Sequence, residues 1–198
     1  SKIKKIVNIE ESFKNLSSKE IRKELGLENK FVVGHVGRLH PQKNHDFLID
    51  VFAEIKKKKP DAELILVGTG SLEEKVKSKV VEKGLSDCVH FLGNRKDMNR
   101  IYQAMDVFVF PSLFEGLGIV AIEAQAAGVP IVCSDGLPPE TDITPIYRQL
   151  LLSDGAEKWA DTALEMAQNP SAHTNMQQYV IDAGFDMDAT AKYMENYY

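Results

Sequence analysis

Short runs of apolar and β-branched residues alternate along the chain with longer segments in which apolar residues recur every three or four positions. The first pattern predicts strands at residues 31–36, 64–67, 89–92, 107–110 and 129–133, with a sixth at 150–152. The second pattern predicts helices at residues 18–25, 44–59, 71–83, 98–104, 117–127 and 156–168, with more helix near the C-terminus. Because the strands are apolar throughout and helices separate them, we predict a doubly wound parallel α/β sheet covered on both faces.

The order of these elements divides the chain into two parts. Residues 1–30 are interpreted as a linker or lead-in segment with one short helix, and residues 31–198 as one domain with C-terminal helices. Local signals accompany two of the helix starts, since Asn44 is a typical N-cap residue and Ser71 with Glu74 resembles a capping box. We therefore expect these side chains to cap the two helices.

Composition and charge narrow the class of protein. The 198 residues are 43% hydrophobic and 27% charged, which is ordinary for a globular protein. The net charge is −5, and the acidic excess lies beyond residue 59, because residues 1–59 contain 14 basic and 8 acidic side chains. A duplex-binding protein is expected to be basic as a whole or along one face, so nucleic acid is not an expected partner. The basic run at residues 56–59 is interpreted as a solvated helix end, with polyphosphate or membrane contact as alternatives.

Three features of the sequence indicate the cellular compartment of the protein and whether it binds a metal ion. They are its cysteines, its histidines and the length of its apolar runs. Cys88 and Cys133 lie inside apolar segments, which favours buried, unbridged thiols in a reducing compartment. His35 is interpreted as a core residue, and His40 and His45 lack a third ligand, so no metal is expected. The apolar runs are far shorter than the roughly 20 residues that span a membrane. We expect a cytoplasmic protein, with peripheral attachment to the inner face of the membrane left open.

Ligands of open parallel sheets bind beyond the carboxyl ends of the strands. The loops predicted to build the site are those after Val36, Val67, Leu92, Phe110 and Cys133. The sequence Gly68-Thr69-Gly70 follows a strand, as in a dinucleotide fingerprint, but Glu73 stands where the third glycine is needed. No Gly-Lys-Ser/Thr triplet of a P-loop occurs. A plain tight turn is therefore favoured here over a ligand-facing one.

Two cations follow the first predicted strand. Gly37 and Arg38 end the strand, and Lys43 precedes the next helix. Arg38 can offer a planar fork to a phosphate, whereas Lys43 supplies a movable point charge beside the positive end of a helix. Diphosphate binding is favoured over the alternative of two surface cations on an exposed loop.

The segment at residues 110–124 combines glycines, a helix start and two glutamates. Gly116 and Gly118 allow the backbone to approach a ligand, and a helix that starts here presents N–H groups to an anion. Glu123 lies about two turns into an apolar helix, where burial without a partner would be costly, and a ribose diol is one such partner. Glu115 could accept hydrogen bonds from sugar hydroxyls, or it could form a structural ion pair with one of the two upstream cations.

Taken together, these motifs resemble the C-terminal, donor-binding half of the family 4 retaining glycosyltransferases, which are built from two Rossmann-like domains. Residues 31–135 carry the resemblance, in the segments Gly37-Arg38, Lys43-Asn44, Val67-Gly68-Thr69-Gly70, Phe91-Leu92-Gly93, Phe110-Pro111-Ser112, Glu115-Gly116, Glu123 and Ala127-Gly128-Val129-Pro130. Seven residues separate Glu115 from Glu123, as in the paired-glutamate motif of that family. The stretches at residues 41–45 and 124–126 look most like the capsular and exopolysaccharide branch.

The resemblance implies roles for individual residues. Arg38 and Lys43 would bind the donor diphosphate and stabilise the leaving group, Glu115 would face the donor sugar, and Glu123 would hold the ribose. The remaining donor-binding positions implied are Gly37, Leu92, Gly93, Asn94, Ser112, Gly116, Leu117 and Gly118. Of these, residues 92–94 would contact the nucleotide base. No cofactor or metal is expected, and the donor would be a UDP-sugar, with GDP left open.

The family's enzymes are roughly twice as long as this chain. The resemblance therefore implies a donor domain that binds the nucleotide sugar but is inactive alone, whereas a glycan or lipid-linked saccharide acceptor would bind to a preceding domain. Two other classes use a comparable nucleotide site. One is half of a UDP-sugar epimerase, and the other is a non-catalytic, nucleotide-binding regulatory domain.

Overall fold

A computed structural model describes residues 18–185 as a single parallel sheet flanked by helices. Its six strands are β1 (Phe31–Val36), β2 (Ala62–Val67), β3 (Val89–Gly93), β4 (Val107–Phe110), β5 (Ile131–Ser134) and β6 (Tyr147–Leu150). They lie in the order β3-β2-β1-β4-β5-β6, and each neighbouring pair is parallel. The prediction of a doubly wound parallel α/β fold is confirmed.

Seven α-helices connect or flank these strands within the described residues. They are α1 (Ser18–Leu25), α2 (His45–Lys58), α3 (Glu73–Glu82), α4 (Met98–Ala104), α5 (Ile119–Ala126), α6 (Gly155–Met166) and α7 (Gln177–Asp182). Short 3₁₀ turns occur at Pro41–Lys43, Pro139–Thr141 and Leu152–Asp154. The predicted lead-in segment before residue 18 and any helix beyond residue 185 lie outside the described residues.

The core lies on both faces of the sheet, because successive side chains of a buried strand point to opposite sides. Val33 of β1 packs in the cluster that α2, α3 and α6 cover, while its neighbour Val32 packs in the cluster that α1, α4 and α5 cover. Ile21 and Leu27, which lie ahead of β1, are 1% exposed in the second cluster, so α1 packs as part of the fold. Two covered faces leave the strand ends as the place for a ligand.

The order in which strands are added to the sheet reverses between β1 and β4, which are neighbours at the centre of the sheet. From β1 the next strands run to one edge, and from β4 the later strands run to the other edge. The helices that follow β1 and β4 therefore pack on opposite faces of the sheet, and ligands of such sheets bind at the carboxyl ends of these two strands.

Asn44 occupies the N-cap position of α2 as predicted, but neither of the two predicted side-chain caps forms. Asn44 adopts a left-handed conformation (φ 53°) after the 3₁₀ turn and makes no side-chain cap bond. The helix predicted from Ser71 begins at Glu73, with Leu72 at the cap position and no capping box. The backbone N–H of Leu72 instead donates to the carbonyl of Leu39 (3.0 Å). A contact with the neighbouring loop therefore sets the start of α3.

The sixth strand is displaced from its predicted position. The run at residues 150–152 was the apolar signal, but β6 is Tyr147–Leu150, and Leu152 begins a 3₁₀ turn. Arg148 and Gln149 within β6 are exposed, because this strand forms an edge of the sheet. A strand at the edge of a sheet does not need a continuous apolar run. A prediction from hydrophobicity alone therefore placed β6 about three residues too late.

Two predictions from single residue types agree with the structure. Cys88 and Cys133 are both buried and free. Each lysine of the basic run at residues 56–59 has a partner. Lys56 donates to the Ala62 carbonyl, and Lys57 pairs with Glu54. Lys58 pairs with Asp161, and Lys59 pairs with Asp61. The run is thus a surface helix end whose charges have local partners. None of the helices within residues 18–185 combines the length and hydrophobicity of a transmembrane segment.

Candidate functional site

A cleft of about 450 Å³ opens at the carboxyl ends of the central strands. Its lining residues come from the ends of β1 and β2, the loops after β1, β2 and β3, and the helices α4 and α5: Val36, Gly37, Arg38, Val67, Gly68, Thr69, Asn94, Arg95, Met98, Val120 and Glu123. A second hollow of about 410 Å³ adjoins it. The two hollows share Gly37 and Arg38, and Lys43 lines only the second. The two hollows form one elongated groove with cations along its length.

Glycines allow the loops of the groove to lie against one another. Gly68 has φ +126°, and a Cβ atom there would lie 2.2 Å from the carbonyl oxygen of Gly37. The backbone continues the sheet in this region, because Gly37 N–H donates to Val67 (2.9 Å) and Gly68 N–H donates to Gly93 (2.8 Å). Any side chain at position 68 would push the first two loops apart.

Lys43 and Glu115 form an ion pair across the groove. Nζ of Lys43 lies 2.5 Å from Oε1 of Glu115, and their side chains are only 14% and 7% exposed. The ammonium also lies 4.7 Å from the centroid of the Phe110 ring, within the range of a cation–π contact. Gly37 makes room for this lysine, because a Cβ atom at position 37 would lie 2.9 Å from its Cε. Of the two cations considered from the sequence, Lys43 is therefore the partner of Glu115.

The loops after β1 and β4 are joined by hydrogen bonds. Gln42 donates from Nε2 to the Phe114 carbonyl (2.9 Å), and the Leu113 N–H donates to the Gln42 carbonyl (2.8 Å). Ser112 is fully buried at the base of the second loop, where its carbonyl accepts a bond from Ser134. Its hydroxyl finds no partner among residues 18–185. These bonds hold the segment before α5 in one conformation.

The segment that leads into α5 presents backbone to the groove. Gly118 has φ +65° and precedes the first residue of the helix, a conformation that favours glycine. Gly116 is exposed, and no heavy atom lies within 4 Å of where its Cβ would be. Leu117 packs against the cluster beneath α5 and α7. The Ala121 N–H donates to the Gly118 carbonyl (2.8 Å), so the N–H groups that could meet an anion at this end of the groove are those that precede it at the start of α5.

Glu123 lies on the wall of the cleft and has a tyrosine as its partner. The Tyr102 hydroxyl donates to Oε2 of Glu123 at 2.8 Å. Burial raises the pKa of Glu123 above its usual value, and the tyrosine bond acts against that rise. Burial also raises the pKa of Tyr102 well above its usual value, with the Glu123 charge adding to the effect. The tyrosine therefore stays a neutral donor to the carboxylate.

The loop after β3 forms the third wall. Leu92 is half-buried, Gly93 has φ +62°, and exposed Asn94 accepts a long hydrogen bond from Thr69 (3.4 Å). Arg95 extends from the same loop and makes two bonds to Asp97, at 2.9 and 2.8 Å. The loop thus offers polar groups and exposed backbone beside Arg38.

A pair of buried histidines lies behind Lys43. His35 is fully buried and its Nδ1 lies 2.9 Å from the Val109 carbonyl, in agreement with the expected core role. His45 is 2% exposed, and its ring centroid lies 4.8 Å from that of His35. Desolvation and then the charge of Lys43 lower the pKa of His45 to about 4. In residues 18–185, no cluster of three or more His, Cys, Asp or Glu side chains could hold a metal ion.

Five of the twelve predicted site residues line the groove, namely Gly37, Arg38, Lys43, Asn94 and Glu123. Glu115 reaches it through its ion pair with Lys43. The other six line neither hollow; they lie at the end of β3 (Leu92 and Gly93) and in the segment between β4 and α5 (Ser112, Gly116, Leu117 and Gly118). Tyr102, Arg95, Met98 and Val120 were not predicted as site residues. Gly68 and Thr69 line the cleft, although a plain tight turn was favoured for them over a ligand-facing one. For Arg95 the signal was available, since it follows Asn94 in the loop after β3. For Tyr102, a residue of the short helix α4, there was none.

Comparison with known proteins agrees with this architecture. The family described as glycosyl transferases group 1 matches residues 17–183, and the chain belongs to that family. A Bacillus subtilis protein named as the glycosyltransferase EpsF is 35% identical over 140 residues, which are 70% of this chain and 36% of that protein. The chain therefore spans about a third of that relative's length.

Two solved structures share the fold. Anabaena HepE, solved in complex with UDP and glucose, superposes with a TM-score of 0.83 at 23% identity, over 96% of this chain and 54% of HepE. The C-terminal domain of the glycosyl transferase group 1 family protein LpcC from Francisella tularensis superposes with a TM-score of 0.75 at 19% identity. That match covers 91% of this chain and 99% of the LpcC domain.

Proposed function

We propose that this chain is the donor-binding domain of a retaining glycosyltransferase that transfers a hexosyl group from a UDP-sugar in capsular or exopolysaccharide synthesis. The observation that carries the proposal is the groove at the centre of the sheet, where two cations and the start of a helix lie beside a half-buried carboxylate. Positive groups suit a diphosphate, and the Glu123 carboxylate suits the paired hydroxyls of a ribose. The UDP-bound state of HepE supports the choice of nucleotide.

The groove suggests how leaving-group departure would be assisted. Arg38, Lys43 and the N–H groups at the start of α5 would stabilise the negative charge that develops on the diphosphate as the bond to the sugar breaks. In a retaining transfer the acceptor attacks from the face that the diphosphate leaves. Glu115 holds the Lys43 ammonium in the groove before the donor binds, and it would face the donor sugar. Charge stabilisation by these groups requires no metal ion.

The acceptor is proposed to be a glycan or lipid-linked saccharide. EpsF and HepE extend well beyond the length that this chain covers, and the additional part of such an enzyme would bind the acceptor opposite the groove. This division predicts donor binding without turnover for the 198-residue chain.

A panel of nucleotides tests the donor assignment. UDP, UDP-glucose, UDP-GlcNAc, GDP-mannose and NAD are each added to the chain, and thermal unfolding and isothermal titration are recorded. A nucleotide present at a hundredfold its Kd is expected to stabilise the fold by about 2.7 kcal/mol. We expect UDP-sugars to do so, and we expect Arg38→Ala and Glu123→Ala to weaken that stabilisation.

The matched control is Arg148→Ala, which removes an exposed arginine from the edge strand β6. It should leave nucleotide binding unchanged. Stabilisation by NAD alone would contradict the proposal. Equal affinity for UDP and every UDP-sugar would instead favour a regulatory nucleotide-binding domain.

A further inference from the structure

Tyr102 occupies an unusual place for a hydroxyl group. It lies on the short helix α4, is 1% exposed, and packs edge-on against Phe108 with ring centroids 6.2 Å apart. Within this apolar cluster its hydroxyl donates to Oε2 of Glu123 at 2.8 Å and also lies 3.4 Å from the Val120 carbonyl. The phenol thus reaches from the core to the wall of the candidate nucleotide cleft.

Packing alone does not require this hydroxyl. A phenylalanine would fill the same apolar space, and a buried hydroxyl costs free energy unless it is hydrogen-bonded. The only hydrogen that the phenol can donate goes towards Glu123, whereas within residues 18–185 no hydrogen bond reaches the other carboxylate oxygen, Oε1. Glu123 is therefore held by one oxygen and leaves the other available to the cleft that it lines.

We propose that Tyr102 is a positioning residue for the nucleotide, because its hydroxyl fixes the Glu123 carboxylate in the orientation that receives the ribose diol. The inference rests on the proposed function and adds to it a residue that does not touch the ligand. One carboxylate oxygen remains anchored to the phenol, so the rotamer of Glu123 is set before the nucleotide arrives. Pre-organisation of this kind lowers the entropy that binding must overcome.

The same hydrogen bond also affects the charge of the carboxylate. Tyr102 from α4 is the titratable group in contact with Glu123, and the charged groups that line the same cleft are Arg38 from the loop after β1 and Arg95 from the loop after β3. Burial raises the pKa of Glu123, and the Tyr102 bond lowers it. Removing the hydroxyl should therefore raise the pKa further, and the loss of UDP affinity on acidification should begin at a higher pH than in the wild type.

The test compares two nucleotides that differ only in the ribose. UDP and 2′,3′-dideoxy-UDP are titrated into the complete chain and into Tyr102→Phe between pH 5.5 and 8. We expect Tyr102→Phe to weaken UDP binding about fivefold to tenfold at pH 7, which lies within the range for the net contribution of one ordinary hydrogen bond. Binding of the dideoxy nucleotide, which has no diol, should change by less than twofold.

A matched control removes a comparable tyrosine hydroxyl outside the cleft. Tyr147 on β6 is half-buried, and its hydroxyl lies 3.0 Å from Oγ1 of Thr141. Tyr147→Phe should leave the affinity for both nucleotides unchanged. A second variant, Glu123→Gln, keeps an oxygen acceptor for Tyr102 but cannot ionise, so the acid-dependent loss of UDP affinity that Glu123 contributes should disappear.

The outcomes separate this inference from the proposed function. If wild-type protein fails to bind UDP, the proposed function is wrong, and the positioning role is wrong with it. If UDP binds and Glu123→Ala weakens it while Tyr102→Phe does not, only the positioning role is wrong. Equal losses for UDP and the dideoxy nucleotide in Tyr102→Phe would show a general effect on the cleft and would also overturn it, as would a Glu123→Gln variant with the wild-type pH profile.

Discussion

Replacing Lys43 with alanine is expected to slow sugar transfer by the complete enzyme by about a hundredfold to a thousandfold, the usual effect of losing one donor that stabilises transition-state charge. The lysine is 14% exposed, lies over the Phe110 ring and is paired with Glu115. Its charge therefore acts where water is largely excluded, which strengthens its attraction to a departing diphosphate. The expected change is in kcat more than in KM for the donor.

Lys79→Ala is the matched control for this substitution. Lys79 is 15% exposed and pairs with Asp46 (3.0 Å) and Asp50 (2.8 Å) on the surface between α2 and α3. Both variants lose a half-buried lysine from an ion pair, but only Lys43→Ala should lose activity. Because Lys43→Ala leaves Glu115 without its cation, urea unfolding should be measured alongside. A folded Lys43→Ala enzyme with wild-type kcat would refute the proposed role.

Acidification from pH 7 to pH 4 is expected to lower the free energy of unfolding by about 3 kcal/mol through His45 alone, as a shift of its pKa from 6.5 to about 4 implies. The folded state holds this buried imidazole neutral, whereas the unfolded chain lets it take up a proton. The stabilisation is therefore complete above the unfolded pKa and is lost as the pH falls towards the folded one. His35, whose pKa burial also lowers, acts in the same direction.

Urea unfolding at pH 7 and pH 4 measures this effect. His45→Leu removes the titrating ring, whose nitrogens both lack hydrogen-bond partners in residues 18–185, and should therefore lose much less stability on acidification. His40→Gln is the control, because His40 is an exposed histidine in the adjacent loop. An acid-induced loss as large in His45→Leu as in the wild type would contradict this account.

The parts of the fold that hydrophobicity determines were predictable. β1 and β4 are buried on both faces, and their apolar runs located them at residues 31–36 and 107–110. β6 was misplaced because Arg148 and Gln149 are solvent-exposed on an edge. The start of α3 was wrong because a bond from Leu72 to Leu39 overrides the local capping signal.

The candidate site was predictable where a residue conflicts with its surroundings. A carboxylate in an apolar helix indicated Glu123, and a cation beside a glycine at a strand end indicated Arg38. Spacing does not determine partners that lie far along the chain: the sequence left Arg38 and Lys43 as alternative partners of Glu115, and it indicated no tyrosine partner for Glu123. Lys43 and Glu115 are 72 positions apart, and Tyr102 and Glu123 are 21 apart. Identifying both pairs required the three-dimensional arrangement of the loops.

The two kinds of glycine in the groove have different consequences for mutational tolerance. Position 68 has no space for a side chain because the Gly37 carbonyl lies against it, whereas position 116 faces open space. A library selected only for folded protein should therefore keep glycine at position 68 and accept other residues at position 116. If selection for nucleotide binding then restores glycine at position 116, that difference would show where the ligand lies.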